Sequence, residues 1–99
     1  MGSGERYKKR VISERDRRAI VEAAARYGAR RVLVFGSAAE RGRRSRDIDL
    51  GVEGVRPRDF FAFYGDLLFA VSKPVDLVDL SSGSKFARLI RRDGMRLYG

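Results

Sequence analysis

The stretch Val32-Leu33-Val34-Phe35-Gly36-Ser37, followed after a short basic segment by Asp47-Ile48-Asp49-Leu50, decides how this chain folds. The first run is apolar without interruption, as in a strand covered on both faces, and Gly-Ser ends it in a turn. In the second run acidic and apolar residues alternate. Side chains at i and i+2 of a strand share a face. Asp47 and Asp49 therefore stand side by side, while Ile48 and Leu50 face the core. Two carboxylates at that spacing repel each other unless a cation lies between them. Hard divalent cations such as Mg²⁺ take oxygen ligands of this kind, usually shared with a substrate phosphate. Glycine lets a backbone approach closely, and a serine opening a helix offers a hydroxyl and free N–H groups. Gly36 and Ser37 are thus a candidate phosphate cradle. Taken singly, each half has a plainer reading: an ordinary strand-to-helix turn, and a strand that is polar outside and apolar inside. Their combination favours a metal-dependent phosphoryl- or nucleotidyl-transfer site.

Working outward, Ser13-Glu14-Arg15-Asp16 has capping-box spacing and opens a helix that carries Ile20, Val21, Ala24 and Tyr27, with Gly28 as its C-cap. A strand over 31–35 follows, then a short helix over 37–41, a loop over 42–46 and a strand over 47–53. Pro57 suits the first turn of another helix, with Asp59 facing the helix dipole, and that helix runs to about residue 71. Lys73-Pro74 stops it. Residues 75–80 read as a strand. Residues 81–84 form a turn into a last helix carrying Phe86, Leu89 and Ile90, with Gly94 at its end and a short final strand over 95–98. The expected fold is a small α/β sandwich. Its sheet is mixed, because the short connection between the first two strands suits antiparallel neighbours.

Ninety-nine residues make one small domain, expected over 13–99, preceded by a loose basic arm over 1–12 with Lys8, Lys9 and Arg10 in a row. A chain this short has no room for a separate substrate domain, so an enzyme of this size needs a partner or a second copy to complete its site. No run reaches membrane-spanning length and none reads as a signal peptide, so a cytoplasmic protein is expected. Cysteine and histidine are both absent, which removes disulfides, thiolate and imidazole metal sites, and histidine bases. Chemistry must rest on carboxylates, hydroxyls, arginines and backbone. Lysine and arginine total 22 against 13 aspartates and glutamates, a formal net charge of +9. A nucleoside triphosphate, a nucleic acid or an acidic protein is the natural partner for that balance, and a merely solvated, charged surface is the plain alternative.

Gly36-Ser37, Arg41-Gly42, Ser45, Asp47, Asp49 and the later Val75-Asp76-Leu77-Val78 resemble the minimal nucleotidyltransferases of the DNA polymerase beta superfamily. The family pattern is Gly-Ser, a few residues, Gly, then Asp-x-Asp on the next strand and a third carboxylate on a later one. The likeness spans about residues 31–98. Arg46 separates Ser45 from Asp47, where many members have serine directly before the aspartate, so the role of Ser45 stays open. The resemblance implies that Asp47, Asp49 and Asp76 bind two Mg²⁺ ions when nucleotide is present. It also implies that Asp76 helps activate an attacking hydroxyl, that Gly36 and Ser37 contact the β- and γ-phosphates, and that Arg41 assists them. Asp79 competes with Asp76 for the third place. The two point to opposite faces of one strand, and family position favours Asp76. The implied reaction is transfer of AMP from ATP to a hydroxyl. Many short proteins of this kind are encoded beside an all-helical HEPN toxin and act as its antitoxin, by binding it and by adenylylating one of its tyrosines.

The helix over 57–71 has its own message. Phe60, Phe63, Tyr64, Leu67 and Val71 form one apolar face at helical spacing, and Phe61, Leu68 and Phe69 lie off it. A helix apolar nearly all round is covered on more than one side, here by a HEPN-like partner or a second copy of the chain. Two other functions compete with the enzyme: a binding protein that acts by contact without catalysis, and a nucleic-acid-binding domain. The second lacks a helix-turn-helix signature, a zinc site or an aromatic platform.

Overall fold

A computed structural model describes residues 12–36 and 47–99. The elements are α1 (Glu14–Arg26), β1 (Arg31–Phe35), β2 (Ile48–Glu53), α2 (Pro57–Ala70), β3 (Val75–Asp79), α3 (Lys85–Asp93) and β4 (Met95–Tyr98). The four strands make one sheet in the order β3-β2-β1-β4. β1 runs antiparallel to both β2 and β4, and β2 runs parallel to β3, so the sheet is mixed as expected. The expected arm, the short helix over 37–41 and the loop over 42–46 lie outside the described residues, apart from Ile12. That residue, assigned to the arm by sequence, is buried in the core. No helix among the described residues is long and apolar enough to cross a membrane.

Strand alternation sorts the sheet into two unequal faces. Val32 and Val34 of β1, Ile48, Leu50 and Val52 of β2, and Val75 of β3 are buried on the first, against Ile20, Ala23 and Ala24 of α1 and Phe63 and Leu67 of α2. Fully burying a side chain such as Phe63 or Leu67 contributes roughly 1.5–3 kcal/mol, so this face carries most of the stability. The second face is smaller: Leu33 and Leu80 meet Ala87 and Ile90 of α3. Gly51 belongs to it. A Cβ at Gly51 would lie 2.7 Å from Leu80 Cδ1, so the absent side chain is what lets Leu80 close over the sheet.

Local signals place the helices. The Ser13 hydroxyl accepts from the Asp16 amide at 3.1 Å, the capping contact its spacing implies. Gly28, past the end of α1, takes φ +69, a conformation that suits glycine. Pro57 opens α2, and the Ser84 hydroxyl caps α3 through the Ala87 amide at 3.1 Å. The apolar residues of α3 divide between core and solvent. Phe86 and Leu89 are exposed, and Ala87 with Ile90 supplies the core face. The rotation of the helix is set from its other end. Arg91 Nε donates to Glu53 Oε2 at 2.8 Å and Arg91 Nη2 donates to the Leu80 carbonyl, and this anchorage turns Ala87 and Ile90 inward.

Asp16 does more than donate its amide to the Ser13 cap. Its carboxylate is buried, and it accepts from the Ser72 amide at 3.0 Å and the Ser72 hydroxyl at 2.6 Å. This ties the start of α1 to the turn that delivers β3. Hydrogen bonds to a charged group are worth about 1.5–3 kcal/mol each. Asp16→Ala is therefore expected to lower the unfolding free energy by about 2–4 kcal/mol, and Ser72→Ala by less. Urea titrations of the two variants and their double mutant check this, and strongly sub-additive losses are the expected sign of a shared interaction.

Candidate active site

The site lies where β1 ends and β2 and β3 begin. The register sets Asp49 directly beside Asp76 on the parallel neighbours β2 and β3, and opposite Phe35 on β1. Asp49 and Asp76 therefore share a face. Asp79 does not join them: it pairs with Val52 at the far end of β3, and its Oδ1 accepts from the Ser81 amide at 2.9 Å, capping the turn. Asp47 is exposed one residue before β2, which begins at Ile48.

Gly36 completes the arrangement. It has φ +72, and a Cβ built there would run into the Asp49 carboxylate, 3.2 Å from Cγ and closer still to Oδ2. The bare Cα is thus both a turn device and the space that the Asp49 carboxylate fills. That carboxyl is held above the ordinary carboxylate range. Burial is the largest cause, followed by the charge of Asp76, a hydrogen bond shared with Asp76, and the charge of Asp47. All three carboxylates are thus felt at one point, Asp49 and Asp76 in contact and Asp47 from the rim.

Among the described residues no three His, Cys, Asp or Glu side chains close into a metal cage. The donor set nevertheless fits Mg²⁺, which keeps several waters and is bound through one or two carboxylates plus substrate phosphate oxygens. The excess negative charge at Asp49 is what a cation would relieve. Ser37 and Arg41, the other phosphate-binding candidates, lie outside the described residues. What the sequence reading missed is the steric role of Gly36, for which the Gly-Ser pair gave a signal, and the aromatic pair beside the acids. Phe35 and Phe86 meet edge to face with centroids 5.9 Å apart.

No protein-family model matches the sequence, and no curated protein matches it either. Solved structures do. This chain resembles a structure of the toxin-antitoxin MntA-HepT with TM-score 0.63 and 22% identity over 85% of this chain and 70% of that one. A mutant of that toxin-antitoxin matches with TM-score 0.67 and 24% identity, over 84% and 72% of the two chains. A structure of the toxin-antitoxin with AMP-PNP matches with TM-score 0.68 and 23% identity, over 84% and 73%. The fold is the minimal nucleotidyltransferase fold. In the minimal nucleotidyltransferase fold as this chain builds it, the strand ends carry Asp49 and Asp76 on one face of the sheet, and the core helices α1 and α2 cover the other.

Two variants test the electrostatic and steric reading in metal-free buffer. The penalty on ionised Asp49 is absent at low pH, where the carboxyl is protonated, and it grows as pH rises through the raised pKa. Asp49→Asn is expected to raise Tm at pH 7, with no gain from Asp79→Asn. Gly36→Ala is expected to lower stability by about 1–2 kcal/mol, from the left-handed backbone alone. Differential scanning calorimetry with chelator present reads both.

Proposed function

We propose that this chain is a metal-dependent nucleotidyltransferase that moves AMP from ATP to a hydroxyl, and that it acts as the antitoxin of a HEPN-type protein, with a tyrosine of that partner as acceptor. The observation that carries the reading is the Asp49–Asp76 pair seated against Gly36, with Asp47 at the rim. Solved structures of the same fold support it, since one is a toxin-antitoxin with AMP-PNP. The matched mutant carries two aspartate-to-glutamate changes two positions apart, the spacing of Asp47 and Asp49.

Asp47, Asp49 and Asp76 would hold Mg²⁺. When bound there, the metal supplies positive charge to the attacking and leaving oxygens of an in-line displacement at the α-phosphorus. The chain's own groups do the rest. The acceptor oxygen bonds to the α-phosphorus as the bond to the bridging oxygen breaks, and pyrophosphate leaves. The chain has no histidine, so the hydroxyl proton passes to a carboxylate oxygen. Asp76 is exposed on β3, where an acceptor can reach it. Gly36, Ser37 and Arg41 hold the β- and γ-phosphates, the glycine by letting the backbone approach and the arginine by charge.

The partner has a candidate surface. Phe61, Leu68 and Phe69 on the outer face of α2 are 78%, 46% and 94% exposed, a grouping that soluble monomers seldom leave bare. The buried face of α2 is already spent on the core through Phe63 and Leu67. An apolar helix of the toxin is the fitting occupant, given the complexes this fold resembles. The same face supports a second reading, an antitoxin that neutralises by contact without chemistry.

Mg²⁺ with ATP is expected to raise Tm well above either alone, because a ligand bound only by the native state stabilises it by mass action. Asp76→Asn is expected to abolish transfer of labelled nucleotide and Asp79→Asn to leave it intact. Transfer surviving Asp76→Asn would overturn the assignment. An Asp76→Asn protein that still silences the partner in full would favour neutralisation by contact. Phe61→Asp is expected to abolish co-purification with the partner while sparing nucleotide binding, and light scattering of the isolated chain distinguishes a homodimer held by the same face.

A further inference from the structure

We propose that Phe86, backed by Phe35, is the platform on which the base of the incoming nucleotide stacks; the proposal rests on the nucleotidyltransferase reading above. Phe35 is paired across the antiparallel ladder with Asp49. The two side chains leave the same face of the sheet with Cβ atoms about 5 Å apart. Phe86, in the first turn of α3, meets Phe35 edge to face at 5.9 Å and 84°. Carboxylate, supporting ring and outer ring thus follow one another along a single face of the protein.

The outer ring is not spent on packing. α3 buries Ala87 and Ile90, while Phe86 remains 53% exposed. A phenylalanine held there by Phe35, which itself pairs with Asp49, offers ring surface to a planar ligand. A nucleotide whose phosphates engage Gly36 and the carboxylates needs a surface for its base about a nucleoside's length away, and this ring offers exposed aromatic surface on the same face of the sheet. Stacking on an aromatic suits any base, because every base has a π face. The other strongly exposed phenylalanines, Phe61 and Phe69, belong to α2 on the opposite face of the sheet and cannot reach the acids. The structure thus divides its exposed aromatics between two uses.

The test compares binding of ATP and inorganic tripolyphosphate, each with Mg²⁺, to the full chain by calorimetry. Phe86→Leu keeps an apolar contact with Phe35 but removes the ring. It is expected to weaken ATP about tenfold and leave tripolyphosphate unchanged, with Phe86→Tyr restoring ATP affinity. The chain has no tryptophan, so Phe86→Trp installs a single indole whose emission is expected to change with ATP and not with tripolyphosphate. Equal ATP affinity in wild type and Phe86→Leu would overturn the proposal and leave the parent reading standing. So would equal loss of both ligands, which marks a structural role, or lost transfer with unchanged ATP binding, which puts the ring against the acceptor. A wild-type chain that binds neither ligand with Mg²⁺ would overturn both.

Discussion

Two carboxylates lie side by side on adjacent parallel strands, and the arrangement of this small fold at its active end follows from that pairing. Like charges directly across a ladder destabilise a sheet, so the Asp49–Asp76 contact must be held by everything around it. Ile48 and Leu50, on either side of Asp49, are buried on the opposite face and fix the register of β2. A one-residue slip would expose both. Val75 does the same for β3. The repulsion is therefore opposed by the main core, and the two carboxylates stay together because the sheet cannot slip to separate them.

The α2–β3 connection shows how the placement of Asp76 is secured. Asp16 grips Ser72 through two hydrogen bonds, and the Tyr64 hydroxyl donates to the Val75 carbonyl at 2.9 Å. Both contacts bear on the residues just before Asp76. The start of α1, far away in sequence, is thereby coupled to the position of a carboxylate. A first-turn residue whose amide serves the Ser13 cap is in this fold also, through its carboxylate, tied to the turn that leads to Asp76.

Strands and helices were legible because their periodicities are local properties. Alternation around Asp49 and the unbroken run at Val32–Val34 needed no partner to be read. The pairing of Asp76 rather than Asp79 with Asp49 followed from the same alternation once family position was added, and the register agrees. What the sequence left unread was tertiary in origin. The inward face of α3 depends on Arg91 reaching Glu53 and Leu80, which no helical wheel contains. The burial of Asp16 depends on Ser72, 56 residues away. The steric fit of Gly36 against Asp49 is likewise a contact between two strands, so the sequence showed a glycine without showing what filled the space beside it.

The strand order has a consequence for solubility. Among the described residues β3 ends the sheet, and an end strand offers unpaired backbone groups to any passing extended chain. Here that strand carries exposed aspartates near both ends, Asp76 and Asp79. A strand from another copy that docked in parallel register would bring a third carboxylate into line with Asp49 and Asp76. That row of negative charge opposes the growth of a second sheet onto this edge.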